Sequence, residues 1–223
     1  MPQSPLLAEK WLLLCHHEHK ARFILDDVSL SASLVGAVIM DLIIEGALST
    51  EGKNVVISGD TNHIPEVHGE VMRRMQKTKK TKSLNYWISS LNNSKVPWKR
   101  KMVSHLASQG KLQTEQRRFL FIPYRATRLT QRVEREQLKT RLKQLIFQKG
   151  TPTEEDAYLL SLLHASNSFS IVADTPKERR QARRLTKALL EDTTWALHVN
   201  MAVNQEVQTA IAASIVIAVT VVS

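Results

Sequence analysis

Apolar positions in this chain recur mostly at helical spacing, and one stretch is apolar on every side. From Asp26, "DDVSLSASLVGAVIMDLIIEG" opens on aspartates suited to capping a helix and ends at Gly46, a helix-stop residue. Between Leu34 and Ile44 apolar residues cover nearly every face, which predicts a deeply buried helix. Leu6 to Cys15 reads as a short helix running into a strand, and "HHEHK" after it as a solvated turn. Further on, "GDTNHIPEVHGE" is loop, and Val71–Ser83 a basic helix or a basic mobile segment. Ser83–Asn93 is an amphipathic helix, and "VPWKRKMVSHLASQG" is another, with Pro97 in its first turn and Gly110 at its end. Thr130–Gly150 is a long amphipathic helix with Val133, Leu138, Leu142, Leu145 and Ile146 as its inner stripe. Thr153 followed by Asp156 has the spacing of a capping pattern, and Asp174–Asp192 is a last capped helix carrying Arg179, Arg180, Arg183 and Arg184. No linker rich in Pro, Gly or Ser divides the chain, so the expected architecture is mainly α, in one domain over residues 1–223, with short β-hairpins.

Two stretches repeat. "LIIEGALSTEGKNVVISGD" and "HLASQGKLQTEQRRFLFIPYR" lie 64 positions apart and pair Gly46 with Gly110, Leu48 with Leu112, Thr50 with Thr114 and Glu51 with Glu115. Each reads as a helix, a glycine stop and a hairpin, the second with Glu115-Gln116-Arg117 near its tip. A helix followed by a hairpin is also how a winged DNA-binding unit ends, so a nucleic-acid reader stands as one alternative.

Charge narrows the partners. The net is +10, and between Glu70 and Leu145 twenty Lys and Arg face four acidic residues, a local +16. That field attracts polyanions, whether nucleic acid or an anionic membrane surface. Lys99, Arg100 and Lys101 with Trp98 beside them suit a headgroup site, since two or three converging cations hold a phosphate while an aromatic group enters the interface. The hairpin residues Arg117, Arg118, Phe119, Leu120 and Phe121, with Arg125 also on the flank, suit membrane contact or self-association. The first repeat counts against DNA, because its helix carries Asp41 and Glu45.

Catalytic chemistry finds no support. Neither a Gly-rich phosphate loop nor a Gly-x-Ser-x-Gly elbow is present, and Cys15, after three leucines, reads as a small core residue. One cysteine allows no internal disulfide, which fits a reducing compartment. His16, His17 and His19 in one contiguous turn do not converge as metal ligands. No enzyme activity, catalytic residue, cofactor or metal is expected. The N-terminus has neither the basic region nor the cleavage site of a signal peptide, and the apolar tail "VQTAIAASIVIAVTVVS" reads as a buried helix in preference to a membrane anchor.

"LLAEKWLLLC", "GAVIMDLIIEGALS", "HLASQGKLQTEQRRFLFI" and "LLSLLHASN", in that order and followed by the apolar tail, resemble the Golgi phosphoprotein 3-like family over almost the whole chain, the short N-terminus resembling bacterial members. The resemblance implies amphipathic helices around a central hydrophobic one and no enzyme activity. It implies a cytoplasmic, peripherally membrane-associated adaptor that binds phosphatidylinositol 4-phosphate, engages protein tails and self-associates through the second hairpin. The family's headgroup Trp and Arg positions fall near Asp26 and on Val35, and its second Arg pair on Val96 and Lys99. Only Lys99 keeps the charge, so a looser affinity for anionic lipid is the expectation here. A protein–protein adaptor without lipid binding is the remaining alternative.

Overall fold

The computed structural model describes residues 6–59, 66–78, 80–148 and 150–191. The apolar tail falls outside them. Eight helices, a three-stranded sheet and a two-stranded hairpin are described, and the buried apolar side chains form one continuous cluster. The mainly α expectation holds.

Helix α2 (Asp27–Ile44) is the axle. Asp26 caps it by accepting from Ser29 N at 2.8 Å, and Gly46, at φ 74°, ends it. Helices α1 (Leu7–Cys15), α3 (Glu66–Gln76), α4 (Leu84–Asn92), α5 (Trp98–Ser108) and α7 (Glu154–Ala165) all touch it. It is the one helix among the described residues long and apolar enough to cross a membrane, and 72% of it is buried inside the protein, as a core helix must be. Burial stops at Leu42, because Ile44, 47% exposed, lies beyond the encircling helices. Helices α6 (Arg132–Gln148) and α8 (Pro176–Glu191) pack against each other and, through α1 and α7, complete the bundle. The Thr153–Asp156 pattern is a full capping box, with Asp156 also held by Arg141 at 2.8 Å.

Polar groups inside the bundle are placed with care. Asp41, 3% exposed on α2, accepts from Leu7 N at 2.6 Å and Ala8 N at 3.0 Å, supplying the N-terminal cap that α1 lacks from its own Leu6. His68 Nε2 on α3 donates to the same carboxylate at 3.0 Å. One side chain therefore joins three helices.

Strands β1 (Leu48–Glu51) and β2 (Asn54–Ile57) form the first hairpin, and β3 (Lys82–Ser83) adds to β2 as a third strand. Strands β4 (Leu112–Phe119) and β5 (Ile122–Leu129) form the second hairpin, in register from Leu112 opposite Leu129 to Phe119 opposite Ile122.

Several expectations change. Helix α3 begins at Glu66, inside the expected loop, and ends at Gln76, so Lys82 and Ser83 are strand and not basic helix. Pro97 is the N-cap of α5 and not a first-turn residue. Val133 is 71% exposed: it lies five positions before Leu138, roughly 140° around the helix from the stripe. Arg135, three positions before Leu138, takes the inner place and is buried. His16 is buried too, not part of a solvated turn.

Candidate functional site

Helix α5 exists because Trp98, Met102, Val103 and Leu106 make one apolar face, all four buried. Trp98 was expected at the membrane interface, and the structure corrects this. It is 2% exposed, with its indole N–H donating to Leu91 O at 2.8 Å, so it fastens α5 to the end of α4. Burying Trp98 forces the next three residues outward.

Those three separate. Lys99 leans toward the start of α2, where Nζ lies 2.5 Å from Asp27 Oδ1 and 5.1 Å from the centre of the Phe23 ring. Lys101 leans the other way, to Glu66 at the start of α3, at 3.2 Å. Arg100, exposed between them, makes no ion pair among the described residues and lines two clefts. One, of about 390 Å³, is closed by Lys99, Val103, Arg125 and Thr127; the other, of about 400 Å³, includes Lys101, Glu66, Ser104 and His105.

Arg125 and Thr127 bring the second hairpin to the site. Its base is rooted: Leu112, Leu129, Ala126 and Thr127 are buried. Beneath Thr127, His16 Nε2 lies 2.8 Å from its carbonyl and 3.2 Å from its hydroxyl, while Nδ1 lies 2.8 Å from His17 O. Burial holds the His16 pKa below its ordinary value. The two carbonyls pull upward and nearby Arg135 adds to the lowering. Arg135 in turn donates from Nε to His16 O at 2.8 Å.

The other end of α5 is fastened by Glu9 of α1. It is 3% exposed and accepts from Gln109 at 3.0 Å and Lys111 at 3.1 Å, with His105 Nε2 at 2.8 Å. Burial alone would raise its pKa, but these three partners outweigh burial and leave it lowered.

Beyond Ala126 the hairpin leaves the body. Its four outermost pairs, Gln116–Arg125 to Phe119–Ile122, span about 13 Å. The tip is Leu120-Phe121, not Glu115 to Arg117, which lie inside β4. Both tip residues have positive φ, 45° and 70°, the signature of a type I′ turn, and they are 75% and 96% exposed. Cross-strand register puts Arg118, Arg125 and Thr127 on one face of the hairpin. On the opposite face Glu115 pairs with Arg117 at 2.9 Å and Arg128 at 3.1 Å. The exposed cations Arg118 and Arg125 make no ion pair among the described residues and share the face that meets the α5 cleft. Phe119 closes β4; its side chain is outside those described.

Among the described residues no group of three metal-ligating side chains converges. The structure thus gathers Lys99, Arg100 and Arg125 at one cleft, sets Lys101 with Arg100 at the other, and takes Trp98 into the core. The sequence places Arg125 on the flank of the hairpin; that it meets Lys99 and Arg100 at one cleft shows only in the fold.

The described residues form a helical bundle around one hydrophobic helix, with a basic cleft beside an apolar-tipped hairpin. The chain belongs to the Golgi phosphoprotein 3 family, whose model, described as Golgi phosphoprotein 3 (GPP34), matches residues 7–213. No curated protein matches the chain at a significant level.

Proposed function

We propose that this protein is a non-enzymatic peripheral membrane protein. It docks on an anionic lipid surface through Arg100, Arg118 and Arg125, with Lys99 and Lys101 behind them, while Leu120 and Phe121 enter the interface. The observation that carries the reading is the tip itself. Two large apolar side chains stand almost bare at the end of a hairpin, in a backbone conformation that disfavours them, and cations line the face behind. Strain held in an exposed apolar turn gives no benefit to folding.

Magnitudes make both parts necessary. Three cations near an anionic leaflet contribute about 1 kcal/mol each. Burying Leu and Phe contributes about 1.5–3 kcal/mol each. The charge term falls short of what one acyl chain gives and the apolar term at best about equals it, and one chain anchors only reversibly; together they make a usable peripheral contact.

A DNA reader fits less well. A recognition helix must lie in a groove about 12 Å wide. The start of α5 is flanked by α2 through Asp27 and by α3 through Glu66, both acidic. Binding of protein tails and self-association through the same tip, as the family resemblance suggests, are compatible with the membrane reading.

Co-sedimentation tests it, with vesicles of phosphatidylcholine alone, with phosphatidylglycerol, or with phosphatidylinositol 4-phosphate. Binding to anionic vesicles, lost in an Arg100/Arg118/Arg125→Ala variant that still folds, is the expected result. Preference for the phosphoinositide would extend the family's specificity to this chain. Absence of binding to every vesicle would overturn the reading.

A further inference from the structure

The two lysines of the site are already occupied. Asp27 and Glu66 are the first residues of α2 and α3, and their side chains are 83% and 84% exposed. Acidic residues favour a helix start, which explains why such residues are tolerated there. It does not explain why both reach to the α5 lysines. Ion pairs this exposed contribute little to stability. Asp26, the neighbouring carboxylate, is not equivalent, since it is committed to Ser29 N and Oγ as the α2 cap. Around α5, then, three consecutive cations meet two carboxylates, and the carboxylate oxygens stand where the oxygens of a phosphate would have to come.

We infer that Asp27 and Glu66 are built-in competitors of the anionic surface: they hold Lys99 and Lys101 in intramolecular pairs, keep affinity low, and are displaced when a lipid phosphate takes the lysines. The inference rests on the membrane reading above and specifies its control. Arg100, Arg118 and Arg125 make first contact, and each lysine adds its charge only after exchanging a carboxylate for a phosphate. Lys99 gains a second restraint from the Phe23 ring, whose centre lies 5.1 Å from Nζ.

The test is vesicle titration of the full chain with Asp27→Asn, Glu66→Gln and the double variant. Asp174→Asn serves as the charge-matched control: it lies exposed before α8, a helix packed on α6, α7 and the Phe169–Ile171 turn. Each neutralisation at the site is expected to tighten binding to phosphatidylglycerol vesicles about five-fold, and the double change about twenty-five-fold, with binding to neutral vesicles unchanged. Lys99→Ala should cancel the gain from Asp27→Asn and leave the gain from Glu66→Gln. The inference is overturned if Asp27→Asn and Glu66→Gln gain no more than Asp174→Asn, or if the gain persists without Lys99. Weaker binding together with a lower melting temperature would also overturn it, making the pairs structural pins. In those cases a wild-type protein that binds, and loses binding in the Arg100/Arg118/Arg125→Ala variant, leaves the membrane reading standing. If neither the wild type nor the double variant binds any vesicle, both fall together.

Discussion

The chain builds one local plan twice and uses it for opposite ends. In the first unit α2 runs into Gly46 and the β1–β2 hairpin; in the second α5 runs into Gly110 and β4–β5. Both glycines sit at positive φ, 74° and 72°, so both helices stop in the same way. After that the units diverge. The first hairpin turns at Gly52, at φ 60°, after four residues, and its strand β2 is covered by β3. In the second the positions matching Glu51-Gly52-Lys53 are Glu115-Gln116-Arg117, with no glycine, so the strand continues to Leu120-Phe121 and turns there. Loss of one glycine lengthens the hairpin and carries its turn out to the apolar pair. The first unit is thereby a core element and the second a projecting one.

The largest break in this comparison should come from Asp41, which serves only the first unit. Asp41→Ala removes the cap of α1 and the partner of buried His68, and leaves two N–H groups of α1 without an acceptor. A loss of about 3–5 kcal/mol is expected in urea denaturation. Arg125→Ala in the second unit, on an exposed side chain, should stay within about 0.5 kcal/mol. Comparable losses would mean that the second hairpin is as structural as the first.

Acid should act next, and through the second unit. His16, beneath Thr127, has its pKa lowered on folding from an ordinary 6.5. The unfolded chain therefore takes up this proton first. Its contribution is complete above pH 6.5 and is lost as pH falls below it, at no more than about 1.4 kcal/mol per pH unit. Melting temperature should drop between pH 7 and about 5. His16→Gln should reduce that drop, the neighbouring His17, also lowered from 6.5, keeping the remainder. It should leave untouched the further loss below the ordinary carboxylate values of 4.5 for Glu9 and 3.8 for Asp156, whose pKa values are both lowered.

These two contrasts also show what was legible beforehand. Helix stops at Gly46 and Gly110, the Thr153–Asp156 capping box and the all-round apolar helix are local chemistry, and the structure has all three. The family was legible because its apolar motifs keep their order. The hairpin tip was not, since Leu-Phe carries no turn signal and adopts positive φ only because the paired strands impose it. Trp98 beside three cations looked like an interface residue, but the sequence is silent about Leu91 O waiting for its N–H. The Lys99–Asp27 pair joins residues 72 positions apart, and nothing local announces it.

A smaller effect tests whether the shared part is truly shared. A Cβ on Gly46 or Gly110 would touch nothing within 4 Å, so replacing either by alanine costs only the unfavourable backbone conformation. Each should lose about 1 kcal/mol, equally. A markedly larger loss at Gly46 would show that the close approach of Gly59 to its carbonyl, where a Cβ on Gly59 would come within 2.4 Å, is part of the first turn's stability.

The smallest expected change in stability is the most telling, because its sign is opposite. Replacing Leu120-Phe121 by Asn-Gly supplies the pair a type I′ turn prefers and removes two large residues from positive φ. Folding should gain a few tenths to about 1 kcal/mol, seen as a higher urea midpoint at unchanged slope. Vesicle binding should fall at the same time, because the two groups that enter the interface are gone. Applied to Gly52-Lys53, the same Asn-Gly exchange has no strain to relieve and no apolar tip to remove, so neither readout should move in the favourable direction. A tip variant that gains stability and keeps its full affinity would leave the strain at Leu120 and Phe121 without a use, and would place the membrane contact elsewhere on the basic face.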